Sequence, residues 1–321
     1  MSQSNFNRIL LLGTLIAIGY SFFAGEAYST QLLIWCSANV LLATSMRFMM
    51  LVGEFNMATV MFYGIGAYVS GYLTTRYSAP FATTLLAAGS IACVIGIAFG
   101  YVSLRIKGAY FMIISFAFAE VARLLATQIS WLGGNSGIVG IFPPAWIEAW
   151  FPAVTIGLVV VLCTILKLVE DSSSGKVFAA IRNNDAIVQA AGISVLNMKV
   201  VCLALSAFVT GVGGALYAYS NNVISPADFT FMASVMALAA VKLGGENDFR
   251  GPILGAVLLT LIGQYVLRFG ALDQLFYGGA ILVAMLALPG GLMGVLQRWR
   301  VLLPVSQPGI RASGIKRAVK P

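Results

Sequence analysis

The chain has 321 residues, 60% of them hydrophobic and 9% charged, with a mean hydropathy of +0.92. A soluble domain carries about 25% charged residues, so a soluble enzyme is excluded and the apolar content belongs to lipid-embedded helix. The net charge of +8 comes from 19 Lys and Arg set singly between apolar runs and in a short basic tail, which is not the continuous basic face that nucleic acid requires.

Apolar runs between charges and turn signals mark ten membrane segments: about 9–24, 31–50, 57–75, 81–103, 109–129, 151–169, 197–219, 230–243, 253–270 and 273–296. The fold class is an all-α polytopic membrane bundle in a single domain, 1–321, with a basic tail over 297–321. The runs are continuous rather than alternating, which excludes a β-barrel. Segment eight is short for a ~30 Å hydrocarbon core and is expected to be re-entrant or flanked by unwound chain. The small residues Ala24 to Ala27 also allow the first run to be read as a cleaved signal peptide. The retained-helix reading is preferred because it makes the charge pattern consistent: with both termini inside, 16 of the 19 Lys and Arg fall on the inner side, leaving Arg76 and Arg268 outside and Arg123 within the membrane. Gly96 with Gly100, and the ladder Ser206, Thr210, Gly214 and Ala218, are packing faces for close helix approach.

Chemistry-bearing patterns are sparse. There is no His, the four Cys are scattered in apolar runs, and Gly175-Lys176 is followed by Val177, where a phosphate loop needs Ser or Thr. No cofactor or metal is expected, and ATP, if used, is bound by another chain. Glu120 and Arg123 stand three apart inside segment five, where a lone charge costs about 2.5 to 3.5 kcal/mol, so they face protein or water. They either lock helices together or offer a cation and an anion to a zwitterionic solute.

The stretch 170–197 is polar yet patterned. Val177, Phe178 and Ile181 recur at helical spacing, Asn183-Asn184-Asp185 supplies N-cap chemistry, and Ile187, Val188 and Ala191 resume the apolar face before Gly192. Two short helices with Arg182 at their bend are expected to dock into a soluble partner, the alternative being a helix lying on lipid.

Residues Gly175, Ala179 to Arg182, Asp185, Ala190, Gly192 and Ile193 resemble the coupling segment of permease subunits of branched-chain amino acid ABC importers, the LivM type in particular. Six further matches follow the family's order. Gly53 with Phe62, Gly64, Gly66, Ala67 and Tyr68 is the first, and Leu104, Arg105, Gly108, Tyr110 and Phe111 the second. Gly133, Gly134 and Gly137 come next, then Ser225, Pro226 and Phe229. Gly244, Gly245, Gly251, Pro252 and Gly255 precede the last, Pro289, Gly291, Leu292 and Gly294. The resemblance implies a non-enzymatic, pore-forming subunit of the bacterial inner membrane. Its implied partners are a second permease chain, two cytoplasmic ATPase chains and a periplasmic binding protein.

The resemblance assigns coupling to Phe178, Ile181, Arg182, Asp185 and Gly192. The family commonly has Ser, Gly and His where this chain has Asn56, Ala58 and Thr59, beside Glu54, so Glu54, Asn56 and Thr59 join Glu120 and Arg123 as expected solute-pathway residues. The acidic Glu246-Asn247-Asp248 is a second departure and is expected to alter how the inner loop meets its partner. The competing reading is an ion-coupled secondary transporter, which an inverted five-helix repeat would favour.

Overall fold

The computed structural model describes residues 27–148, 150–266, 278–279, 282 and 291–294. The expected segment 9–24, most of 273–296 and the tail 297–321 lie outside them. The helices are α1 (Ala27–Met50), α2 (Thr59–Tyr77), α3 (Phe81–Ser103), α4 (Ala109–Gln128), the single turn α5 (Ala145–Glu148), α6 (Phe151–Asp171), α7 (Ser173–Asn183), α8 (Asp185–Ala190), α9 (Val195–Asn221), α10 (Phe231–Gly244) and α11 (Arg250–Val266). Two short strands, β1 (Ile138–Val139) and β2 (Val223–Ile224), pair antiparallel. Thr30–Met50, α3, α4, α6 and α9 are long and apolar enough to cross a membrane, and the chain is a helical membrane bundle.

α2 is not among those five, and its position explains why. It carries Thr59, Tyr63, Tyr68, Ser70 and Thr74, and its first thirteen residues are buried almost without interruption, so it is solvated by other helices rather than by lipid. α9 is its main support and also packs along α3 and α1. Helix association in lipid depends on close van der Waals fit rather than on water release, so the contact needs small residues. A Cβ on Gly66 would lie 1.9 Å from the Gly211 carbonyl oxygen, and one on Gly214 would lie 1.8 Å from that of Tyr63. The expected ladder of Ser206, Thr210, Gly214 and Ala218 is buried, and Gly96 takes Ala207 against it. Gly214 of that ladder makes one backbone-to-backbone approach, and Gly211 with Gly66, outside it, makes the other.

The ends of the helices separate by chemistry. At one end α1, the turn before α4, α6, α9 and α10 bring Arg47, Lys107, Glu170, Lys199 and Lys242 together with the α7–α8 pair through ion pairs. The opposite end is aromatic, with few charges among the described residues, Arg76, Glu148 and Asp228. Tyr219 hydroxyl meets Thr74 at 2.6 Å and Thr84 at 2.8 Å, Phe81 packs on Phe151, and Tyr72 on Trp131. α4 is the outlier of the bundle: only Phe111 and Ser115 of its twenty residues are buried.

Gly66→Ala should lower the melting temperature of the detergent-purified protein by the equivalent of about 1–3 kcal/mol, the usual overpacking cost. Gly157→Ala, whose Cβ meets nothing within 4 Å, should leave it unchanged or raise it. A Gly66→Ala protein as stable as the parent would refute the backbone-to-backbone contact.

Candidate functional site

Between α1 and α2 the helix is interrupted, and side chains from other helices satisfy the freed backbone. Gly53, at φ +82°, turns the chain out of α1. Met57 N–H then donates to Ser115 Oγ of α4 at 3.0 Å, and Met57 carbonyl accepts from Ser234 Oγ of α10 at 2.8 Å. Asn56 Oδ1 accepts from Ala58 N–H at 3.0 Å and its carbonyl from Thr59 Oγ1 at 2.8 Å, so both residues start α2. Irregular backbone at membrane depth survives only when its polar groups are paired in this way. Asn56 Nδ2 is buried with no hydrogen-bond partner among the described residues.

Glu54 is likewise fully engaged. Its carboxylate accepts from Lys199 Nζ at 2.7 Å and from Gly108 N–H at 3.1 Å, with the Glu54 and Lys199 side chains 4% and 3% exposed. Lys199 also lies 3.5 Å from Asp185, at the start of α8, and Asp185 pairs with the exposed Lys107. A second cluster surrounds Arg47, which is 2% exposed and grips Glu170 with two bonds of 2.9 Å while Nε donates to the Glu246 carbonyl at 2.9 Å. Glu246 Oε1 accepts from Arg182 at 3.2 Å, and its other oxygen from Lys242. Burial pushes the Glu246 carboxyl up, but Lys242 and Arg182 outweigh it and hold the group below the usual carboxylate range.

Sequence reasoning missed Arg47, Glu170 and Lys199 as site residues and took the cations as topological. The sequence signal was a basic residue at each helix end, but their partners stand 123 and 145 residues away.

The stretch 170–197 forms two short helices, α7 and α8, with Asn184 Oδ1 capping α8 through Ala186 N–H at 2.9 Å and Gly192 at φ +80° ending the turn that follows it. Its apolar residues divide. Phe178, Ile181 and Val188 are buried in the chain itself, with Phe178 edge-on to Phe48 of α1 at 5.9 Å, so they anchor the pair to the bundle and do not face a partner. Ile187 is 68% exposed and points away. A shared apolar face through Ile187 and Val188 is thus corrected: adjacent positions on a helix point about 100° apart, and only Val188 is buried.

Glu120 and Arg123 pair with each other along α4. Arg123 Nε donates to both Glu120 oxygens at 3.1 Å, and Nη2 bonds Oε1 more closely. This bond lies within one helix and does not lock two. Glu120 lines a closed crevice, too tight to admit a water molecule, with Met57, Phe229, Phe231 and Ser234, beside the α1–α2 interruption. The structure therefore divides the expected pathway residues into a crevice group at Glu120 and a tethered group at Glu54, Asn56 and Thr59.

Buried ion pairs are costly to break on one side only. Glu54→Gln or Lys199→Met alone should destabilise the protein by about 3–5 kcal/mol, and the double change should recover most of that loss in a thermal melt. Simple addition of the two losses would show that the pair is not a coupled unit.

A family model described as branched-chain amino acid transport system / permease component matches residues 28–286. The high-affinity branched-chain amino acid transport system permease proteins LivM of Salmonella typhimurium and Escherichia coli are each 29% identical over 282 residues, covering 78% of this chain and 64% of theirs. A probable branched-chain amino acid transport permease protein LivM of Methanocaldococcus jannaschii is 24% identical over 192 residues, covering 56% of this chain and 54% of its own. The chain thus spans about 64% of the length of the two bacterial relatives. No solved structure matches significantly. With the greater part of its length matched, the chain belongs to the branched-chain amino acid transport permease family.

Proposed function

We propose that the chain is the membrane permease subunit of an ABC importer, passing branched-chain or related small amino acids, or amides such as urea, across the bacterial inner membrane. ATP hydrolysis takes place on separate subunits. The whole assembly comprises a second permease chain, two ATPase chains and a periplasmic binding protein, and ten crossings return this chain's C-terminus to the cytoplasm. The basic end is the cytoplasmic end, because Lys and Arg concentrate on that side of membrane proteins.

The observation that carries this reading, beside the family match, is the tethering of the α7–α8 pair. One side is anchored by Phe178 and Ile181, while Ile187 is open to a soluble partner. Asp185 is tied through Lys199 to Glu54, and Arg182 through Glu246 to the loop after α10. A partner that moves the pair therefore pulls directly on the α1–α2 interruption and on α10, which are joined at Met57 and Ser234 beside the Glu120 crevice. This is a lever in the mechanical sense, and it converts an ATPase closing motion into a choice between two bundle states.

The test is ATP-driven uptake of leucine into vesicles holding the full chain and the chains that co-purify with it. No uptake would refute the importer reading.

Ile187→Asp changes an exposed position, so the protein should insert and melt like the parent while losing most of its attached ATPase, on the order of tenfold for one interface anchor. ATPase retained at parental level would remove α8 from the docking surface.

Glu120 and Arg123 are assigned to solute contact, the cation meeting a carboxylate and the anion an ammonium. Glu120→Gln with Arg123→Gln leaves no uncompensated charge and should fold and hydrolyse ATP, yet import poorly. Uptake restored to near the parental rate would leave the pair as structure alone.

A further inference from the structure

At the end opposite the basic cluster, the chain between β2 and α10 makes a 3-10 turn, Pro226–Phe229, closed by Asp228 Oδ2 accepting from Ser225 N–H at 2.7 Å. The turn carries Phe229 into the bundle, where its ring stands 6.2 Å from Tyr63, 5.9 Å from Tyr68 and 6.2 Å from Tyr217. α2 makes room with Gly64, on which a Cβ would come 3.0 Å from the Phe229 ring. The Tyr63 and Tyr68 hydroxyls are buried and have no hydrogen-bond partner among the described residues. Buried hydroxyls are normally paired, so two unpaired ones around one ring need an explanation. On its other side Phe229 reaches the crevice that Glu120 lines.

An apolar ring enclosed by aromatic walls with two idle hydroxyls has the form of a site for an amphiphilic guest, with the protein's own side chain in the guest's place. We propose that Tyr63, Tyr68 and Tyr217 form a solute station for a small molecule with one apolar side chain and polar groups within reach of the hydroxyls, and that Phe229 is its removable plug. The proposal deepens the permease reading and rests on it. When the turn withdraws, the guest's side chain takes the space of the Phe229 ring, Tyr63 and Tyr68 gain partners, and the way to Glu120 opens. The turn is closed on itself by the Ser225–Asp228 contacts, so it can withdraw as a unit without unpairing them. Guests without an apolar part, urea among them, are disfavoured, since they leave the aromatic walls without contact, so the station narrows the proposed solutes to the amino acids with apolar side chains.

The test uses the full chain with its co-purifying subunits in vesicles, and reads leucine leak without ATP, leucine uptake with ATP, and ATP hydrolysis. Phe229→Ala should raise the leak severalfold, while Phe229→Leu, which still fills the space, should keep it near parental. Should Phe229→Ala not fold, Gly64→Ala pushes on the same ring and should leak in the same direction. Tyr63→Phe with Tyr68→Phe keeps the walls, so leak and ATP hydrolysis should be parental while uptake falls about fivefold, the value of lost hydrogen bonds to the guest. Parental leak in the substituted plug overturns the plug. Parental uptake in the double tyrosine variant, or a fall in ATP hydrolysis that matches its fall in uptake, overturns the station. Absence of ATP-driven uptake in the parent itself refutes the permease reading instead, and the leak comparison still reads the plug.

Discussion

Two carbonyl oxygens lie where side chains would stand: that of Gly211 against Gly66, and that of Tyr63 against Gly214. α2 and α9 therefore touch backbone to backbone, and much else depends on that approach. Because α9 fills one side of α2 with main chain and small residues, α2 sits away from lipid and can carry tyrosines, threonines and serines that a lipid-facing helix would not tolerate. The same contact fixes the height of Tyr63 and Tyr68 against Phe229, and the position of the interruption that precedes Thr59. A bulkier α9 would displace all three together.

Charge is handled by concentration at one end. Arg47 and Lys199 are each 2% exposed, a burial that a lone cation does not survive, and each is held by a carboxylate from a distant part of the chain. Such pairs add little net stability when compared with an apolar packing of similar volume. What they supply here is connectivity. Asp185 is joined through Lys199 to Glu54, and Arg182 to Glu246, so ion pairs link the basic end of the bundle to the α7–α8 pair. The Glu246 carboxyl, held low by Lys242 and Arg182, stays ionised through the neutral range. Its contribution is present above the unfolded pKa and is lost only as pH falls through the depressed folded value.

The membrane helices were legible because length and apolar content are local properties. The segments read as 31–50, 81–103, 109–129, 151–169 and 197–219 lie within a few residues of α1, α3, α4, α6 and α9, the five helices among the described residues that are long and apolar enough to cross a membrane, where ten segments were expected. The Glu120–Arg123 pair was legible for the same reason, being three residues apart on one helix. The direction of an amphipathic face was not. Spacing shows that Phe178 and Ile181 share a side, but only the position of Phe48 shows that this side turns inward. Nor was the engagement of Glu54 legible, since Lys199 reaches it from 145 residues along the chain, whereas Asn56 and Thr59 bond locally, to Ala58 N–H and to each other.

Two irregular stretches flank the helices near Glu120. The fourteen residues of α10 cover only about 21 Å at ~1.5 Å per residue, and the Ser225–Thr230 stretch, with a 3-10 turn, leads into them. The interruption before α2 is the second. Unwound backbone in a bilayer is confined to places buried in protein or lining a cavity. Here Met57, Ser234 and Phe229 converge on the Glu120 crevice, so the two irregular stretches meet at one site, which also holds the partly exposed carboxylate of Glu120. A passage needs polar groups at depth and segments that move without breaking helical hydrogen bonds. Among the described residues this meeting point provides both, and the proposed solute path follows α2 from Phe229 to Glu120 for that reason.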